Sequence, residues 1–123
     1  MKPGACLRLK LKGLVRPESG EEVLRLNRAL ASILEDWSHV AIDIERMRGL
    51  LSEHLAALVD AIQTAEANGG EVVLVCSDPK IKIVIDMLGL TSVFKMESDV
   101  DAAARRLGIE IVETREVTIV TYD

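Results

Sequence analysis

His39-Val40-Ala41-Ile42-Asp43-Ile44 is a nearly unbroken apolar run of strand-forming residues. A strand wetted on one face alternates apolar and polar residues, whereas a run like this suits a strand covered on both faces. Glu71-Val72-Val73-Leu74-Val75-Cys76 repeats the pattern. Between the two runs, Leu55, Leu58, Val59 and Ile62 recur at helical spacing. Ser52 is a natural cap for that helix, Glu53 suits its first turn, and Asn68-Gly69-Gly70 marks its end. Strand, helix, strand with both strands buried is the unit of an α/β sheet.

The same order extends outward in both directions. Toward the N-terminus, Leu7, Leu9 and Leu11 alternate with Arg8, Lys10 and Lys12, a half-buried strand that Arg16-Pro17 ends. Ser19 with Glu22 has capping-box spacing. Val23, Leu26, Leu30, Ile33, Leu34 and Trp37 then share a face, which predicts a helix over 20–37. Toward the C-terminus, Asp78-Pro79 opens a helix whose inward face carries Ile81, Val84, Ile85 and Leu88. Ser92–Met96 reads as a short extended segment. Ser98-Asp99-Val100-Asp101 starts a last helix, with Val100, Ala103, Ala104 and Leu107 inward and Gly108 as its stop. Ile109–Tyr122 alternates again, as a hairpin or one long edge strand, pairing with its own sheet or between chains. The expected fold is α/β, a mostly parallel or mixed sheet flanked by about four helices. Residues 1–108 would form the domain and 109–123 a C-terminal β extension.

Composition narrows the functions. The 123 residues are 49% apolar and 28% charged, enough for one aliphatic core, and only 2% aromatic, which leaves little for base stacking. A net charge of −5 disfavours nucleic acid and anionic membrane surfaces as partners. The basic residues of Leu7–Arg16 read as the wet side of a strand. No apolar stretch approaches the ~20 residues of a membrane helix, and Met1-Lys2-Pro3-Gly4 does not open a signal peptide. A cytoplasmic location is expected, with Cys6 and Cys76 as free buried thiols. Neither metal-ligand spacing nor a phosphate-binding glycine loop is present in the sequence, so no cofactor and no enzymatic activity are expected.

In order and spacing, several segments are similar to those of the STAS domain, the fold of bacterial anti-sigma factor antagonists. They are Leu7–Gly13, Val40-Ala41-Ile42-Asp43-Ile44, Ala67–Val75, Asp78-Pro79-Lys80-Ile81 and Met87–Phe94. The resemblance covers roughly residues 5–107 and implies a signalling protein that binds proteins. Its family signature is Asp-Ser-Ser-Gly, or a close variant, at the start of the second helix. There the first serine is phosphorylated by a partner anti-sigma factor kinase, which controls binding to that partner. Counted from Asp43, the serine falls on Ser52. Leu51 stands where the family has Asp, Glu53 where it has the second Ser or Thr, and His54 where it has Gly.

Phosphate at a helix N-terminus meets free N–H groups and adds charge to an interface built for a hydroxyl. Equally, Ser52 could serve only as a cap, and Glu53 could place a fixed charge beside it. The predicted partner surface comprises Met47, Arg48, Leu50, Leu51, Ser52, Glu53 and His54 around the second helix start, with Ser77, Asp78 and Lys80 beside them. His54 is read as a surface residue that adds bulk where a partner approaches. Asp43 is expected to accept structural hydrogen bonds near the switch. The alternative function is a non-switching scaffold, or a subunit of a multiprotein complex that forms a homodimer through 109–123.

Overall fold

The computed structural model describes residues 5–14, 21–48 and 52–118. The elements run β1 (Cys6–Leu14), α1 (Glu21–Asp36), β2 (His39–Arg48), α2 (Ser52–Ala67), β3 (Glu71–Val75), α3 (Pro79–Met87), β4 (Met96–Glu97), α4 (Val100–Leu107) and β5 (Ile111–Thr118). They form a five-stranded sheet in the order β4-β3-β2-β1-β5. Every pairing in it is parallel, so of the two sheet types expected, mostly parallel or mixed, the structure has the parallel one.

Chain order and the handedness of crossovers explain the layers. Three steps, β1 to β2, β2 to β3 and β3 to β4, run in one direction across the sheet. The step from β4 to β5 runs back past β1. Right-handed connections therefore put α1, α2 and α3 on one face and α4 on the other. The packing follows. Leu7, Leu9, Val40, Ile42 and Leu74 join Leu26, Ile33, Trp37, Leu55, Leu58 and Ile85 in the main core. On the opposite face Cys6, Ala41, Val73 and Val75 pack under Ala103 and Leu107 of α4. Each large aliphatic side chain fully buried this way contributes about 1.5–3 kcal/mol.

The loop from α2 to β3 is tightly determined. Gly69 takes φ +78°, the left-handed region that a helix end needs, and the Gly70 N–H donates to Ala65 O at 2.7 Å. A Cβ on Gly70 would stand 1.8 Å from Ser38 O, the carbonyl that accepts the Glu71 N–H at 2.9 Å. Glycine at 70 is thus what lets β3 lie beside the start of β2.

One strand runs further than the sequence reading has it. β2 continues through Glu45, Arg46, Met47 and Arg48, which the sequence reads as a connection. A register shift against β1 lies between Lys10 and Lys12, so Ile44-Glu45 faces Leu11 alone. This bulge carries the strand past the break in its apolar run. Of the forms expected for the C-terminal segment, the described residues take the single edge strand: β5 pairs parallel with β1 from Cys6 to Lys12, inside its own chain.

Candidate functional site

In a parallel sheet the helices begin at the carboxyl ends of the strands, and ligand and partner sites gather there. Asp43 anchors that end. It is 7% exposed; its Oδ2 accepts from Arg8 Nη2 at 3.0 Å and its Oδ1 from the Glu45 N–H at 3.0 Å. One carboxylate therefore ties β1 to β2 and closes the bulge. Glu45 continues the chain of contacts, accepting from the Ser77 N–H at 2.6 Å and the Ser77 hydroxyl at 3.2 Å. Asp78 caps α3, taking the Lys80 N–H at 2.9 Å ahead of Pro79. Ser77, Asp78 and Lys80 are exposed.

These carboxylates are occupied in fastening strand ends. Cys76, just beyond β3, is a free and buried cysteine. Burial raises its thiol pKa above the ordinary value, and the charges of Glu45, Asp78 and Asp43 push the same way against a hydrogen bond from Asp78 backbone. On the α4 face, a cleft of about 330 Å³ lies between Arg8, Lys10, Glu45, Ser77 and Asp99. No group of three metal-ligating side chains occurs among the described residues.

Ser52 is the first residue of α2, where the spacing puts it. Leu50 and Leu51 lie outside the described residues, as do the side chains of Arg48, Ser52 and Glu53. Two other predicted contacts need correction. Met47 is 7% exposed and belongs to the main core, because the bulge turns it to the helix-covered face. His54 is fully buried. It precedes Leu58 and Ala61 by four and seven residues, so it continues the buried stripe of α2. The substitution of His for Gly therefore places its bulk inside the domain and none at the surface.

The sequence reading missed the outer face of α3. Val84 and Leu88, read as inward, are 39% and 46% exposed, and Ile83 and Met87 stand out at 56% and 81%. Of α3's own residues only Ile85 is buried. Lys80, Ile83, Val84, Met87 and Leu88 follow helical stripe spacing, so α3 carries a second stripe pointing away from the core.

Comparison with known proteins agrees with this architecture. The profile of the STAS domain matches residues 19–103. The chain belongs to the STAS domain family. Among solved structures, it resembles a protein assigned as an anti-sigma factor antagonist from Thermotoga maritima. The TM-score is 0.67 at 14% identity, over 80% of this chain and 81% of that one. It also resembles the anti-sigma factor antagonist SpoIIAA in its unphosphorylated form, with TM-score 0.53 at 14% identity, over 80% of this chain and 84% of that one. At such identities the likeness speaks for the STAS fold, and the site has to be argued from this chain's own residues. No helix among the described residues is long and apolar enough to cross a membrane.

Proposed function

We propose that this STAS domain is a regulatory protein-binding module of the anti-sigma factor antagonist kind, without enzymatic activity of its own, switched by phosphorylation of Ser52. Its partner is an anti-sigma factor with serine kinase activity. The contact surface runs from the start of α2 over Ser77, Asp78 and Lys80 and down the outer stripe of α3.

Support comes first from α3. Among the described residues the exposed large apolar side chains are Leu24, Ile83, Val84, Met87, Leu88 and Val112, and four of these six lie on α3 and its C-cap. Apolar side chains concentrated on one exposed face are characteristic of protein contacts. The stripe starts at Lys80, beside the helix cap, and α2 and α3 both begin at the carboxyl edge of the sheet. A phosphate on Ser52 would enter an interface containing this apolar face and would weaken binding through the cost of desolvating up to two charges. The burial of His54 leaves the approach to Ser52 free of its ring.

The test is phosphoryl transfer. The chain is incubated with the candidate kinase and ATP, and phosphate is located by mass spectrometry. Phosphate on Ser52, together with kinase binding that survives Ser52→Ala and is lost in Ser52→Asp, is the expected result. No phosphate and equal binding by both variants would leave the scaffold reading in its place.

A further inference from the structure

We propose that two copies of the chain pair through the outer edge of β5. The strands run antiparallel about a twofold axis at Thr114, and the two sheets become one continuous sheet. The sheet has two edges of unequal kind. β4 has two residues and offers almost no ladder, whereas β5 has eight and pairs with β1 on one side only among the described residues. Its other side presents backbone N–H and C=O groups as a template for a further strand.

The side chains of β5 select the occupant. Glu113 and Arg115 stand opposite Leu7 and Leu9 of β1, so they share the face covered by the helices. They form an ion pair with one another. The Arg115 guanidinium also lies 6.0 Å from the ring centroid of Trp37, at the end of α1.

In a twofold antiparallel pair, facing residues either both point their backbone groups across the junction or both point them away from it. The sum of their numbers is therefore even, and the axis passes through a residue. With Thr114 on the axis, Glu113 faces the partner's Arg115 and Arg115 faces the partner's Glu113. The four charges then alternate around a square, with the two threonines opposed on the other face. Moving the axis by one residue sets Arg115 against the partner's Arg115, or Glu113 against the partner's Glu113. Charges on an edge ordinarily keep copies apart. Here the two signs are placed so that one register escapes that penalty, which makes β5 complementary to itself and to no arbitrary strand.

The contact is small, so the dimer is weak and depends on concentration. Sedimentation velocity of the full chain from about 10 µM to about 1 mM should show a reversible monomer–dimer equilibrium in this weak-interface range. Glu113→Arg alone and Arg115→Glu alone should each weaken it at least about tenfold, as facing like charges do. Mixing these two variants should yield a heterodimer, and the double variant carrying both changes should regain the homodimer. Because Arg115 packs on Trp37, the melting transition of each variant is recorded, and the mixture reports on charge whatever the change in stability. A monomer throughout would overturn the proposal. So would single variants that dimerise like the parent, or a dimer lost through Met87→Lys on α3 and indifferent to β5.

Discussion

α3 and α4 are the two short helices of the domain, nine and eight residues long, and they begin alike. An aspartate caps each: Asp78 takes the Lys80 N–H at 2.9 Å and Asp99 takes the Ala102 N–H at 2.8 Å. Beyond the cap they diverge. α4 turns Ala103 and Leu107 inward and polar side chains outward. Asp101 in its first turn and Arg105 and Arg106 in its last turn match the helix dipole, and Arg106 reaches Glu97 of β4 at 3.2 Å. α3 buries Ile85 alone and leaves Ile83, Val84, Met87 and Leu88 in the open. α4 has the composition that a helix covering a sheet requires. α3 lacks such dipole-matching charges in its first and last turns and carries exposed apolar residues in excess of the one it buries. The comparison separates apolar residues that the fold buries from apolar residues that it leaves exposed.

The largest expected effect tests whether α3 is anchored at one point. Ile85→Ala removes its only buried side chain and should cost about 3 kcal/mol in urea denaturation. Leu107→Ala, at the rim of the opposite cluster and 7% exposed, should cost about 2 kcal/mol. A loss under about 1 kcal/mol for Ile85→Ala would mean that α3 is held by its outer residues after all, and the contrast would collapse.

The cluster under α4 also contains a titrating group. Burial pushes the Cys6 thiol up to about 11, against an ordinary value of 9.0. The native state holds that proton more tightly than the unfolded chain does. The corresponding stability is therefore complete below pH 9 and is lost as pH rises from 9 to 11, at no more than about 1.4 kcal/mol per pH unit. Urea midpoints should fall over this window. Cys6→Ala should fall less steeply, and a variant as steep as the parent would contradict the assignment.

The caps come next. Asp78→Ala and Asp99→Ala should each cost about 1 kcal/mol, because each strands one N–H of a first turn. Near-equal losses would sharpen the point that the two helices share their start and differ only in their faces.

How far the sequence reveals these features depends on which force decides each one. Helix starts are local chemistry, so Asp78-Pro79 and Ser98-Asp99 mark α3 and α4 to within a residue. Strand burial is visible in composition, so Val40–Ile44 and Val72–Val75 read as central strands. The parallel edge position of β5 depends on a partner more than a hundred residues away, and alternation in Ile109–Tyr122 fits a hairpin as well as an edge. The bulge at Ile44-Glu45 is likewise set by pairing, and with it the burial of Met47. His54 was available to helical counting from Leu58 and Ala61, but a polar ring does not announce itself as core. On α3 the opposite error arises. Ile81, Ile83, Val84, Ile85, Met87 and Leu88 exceed what one stripe can bury, and counting alone does not say which stripe faces the sheet.

The smallest expected effect on stability bears most directly on function. Met87 is 81% exposed, so Met87→Lys should move the unfolding free energy by less than about 0.5 kcal/mol. On α4 an equally exposed position would also be silent in binding. On α3 the same change puts a charge into the centre of the apolar stripe, between Val84 and Leu88, and should weaken the partner complex at least about tenfold, the direction expected when a buried contact residue is lost. Calorimetric titration of the partner into Met87→Lys, beside Arg105→Glu on α4 as the matched surface control, reads the difference. If both variants bind like the parent, the outer stripe of α3 is not the contact surface. If Met87→Lys instead unfolds the domain, the stripe is part of the fold and α3 differs from α4 only in degree.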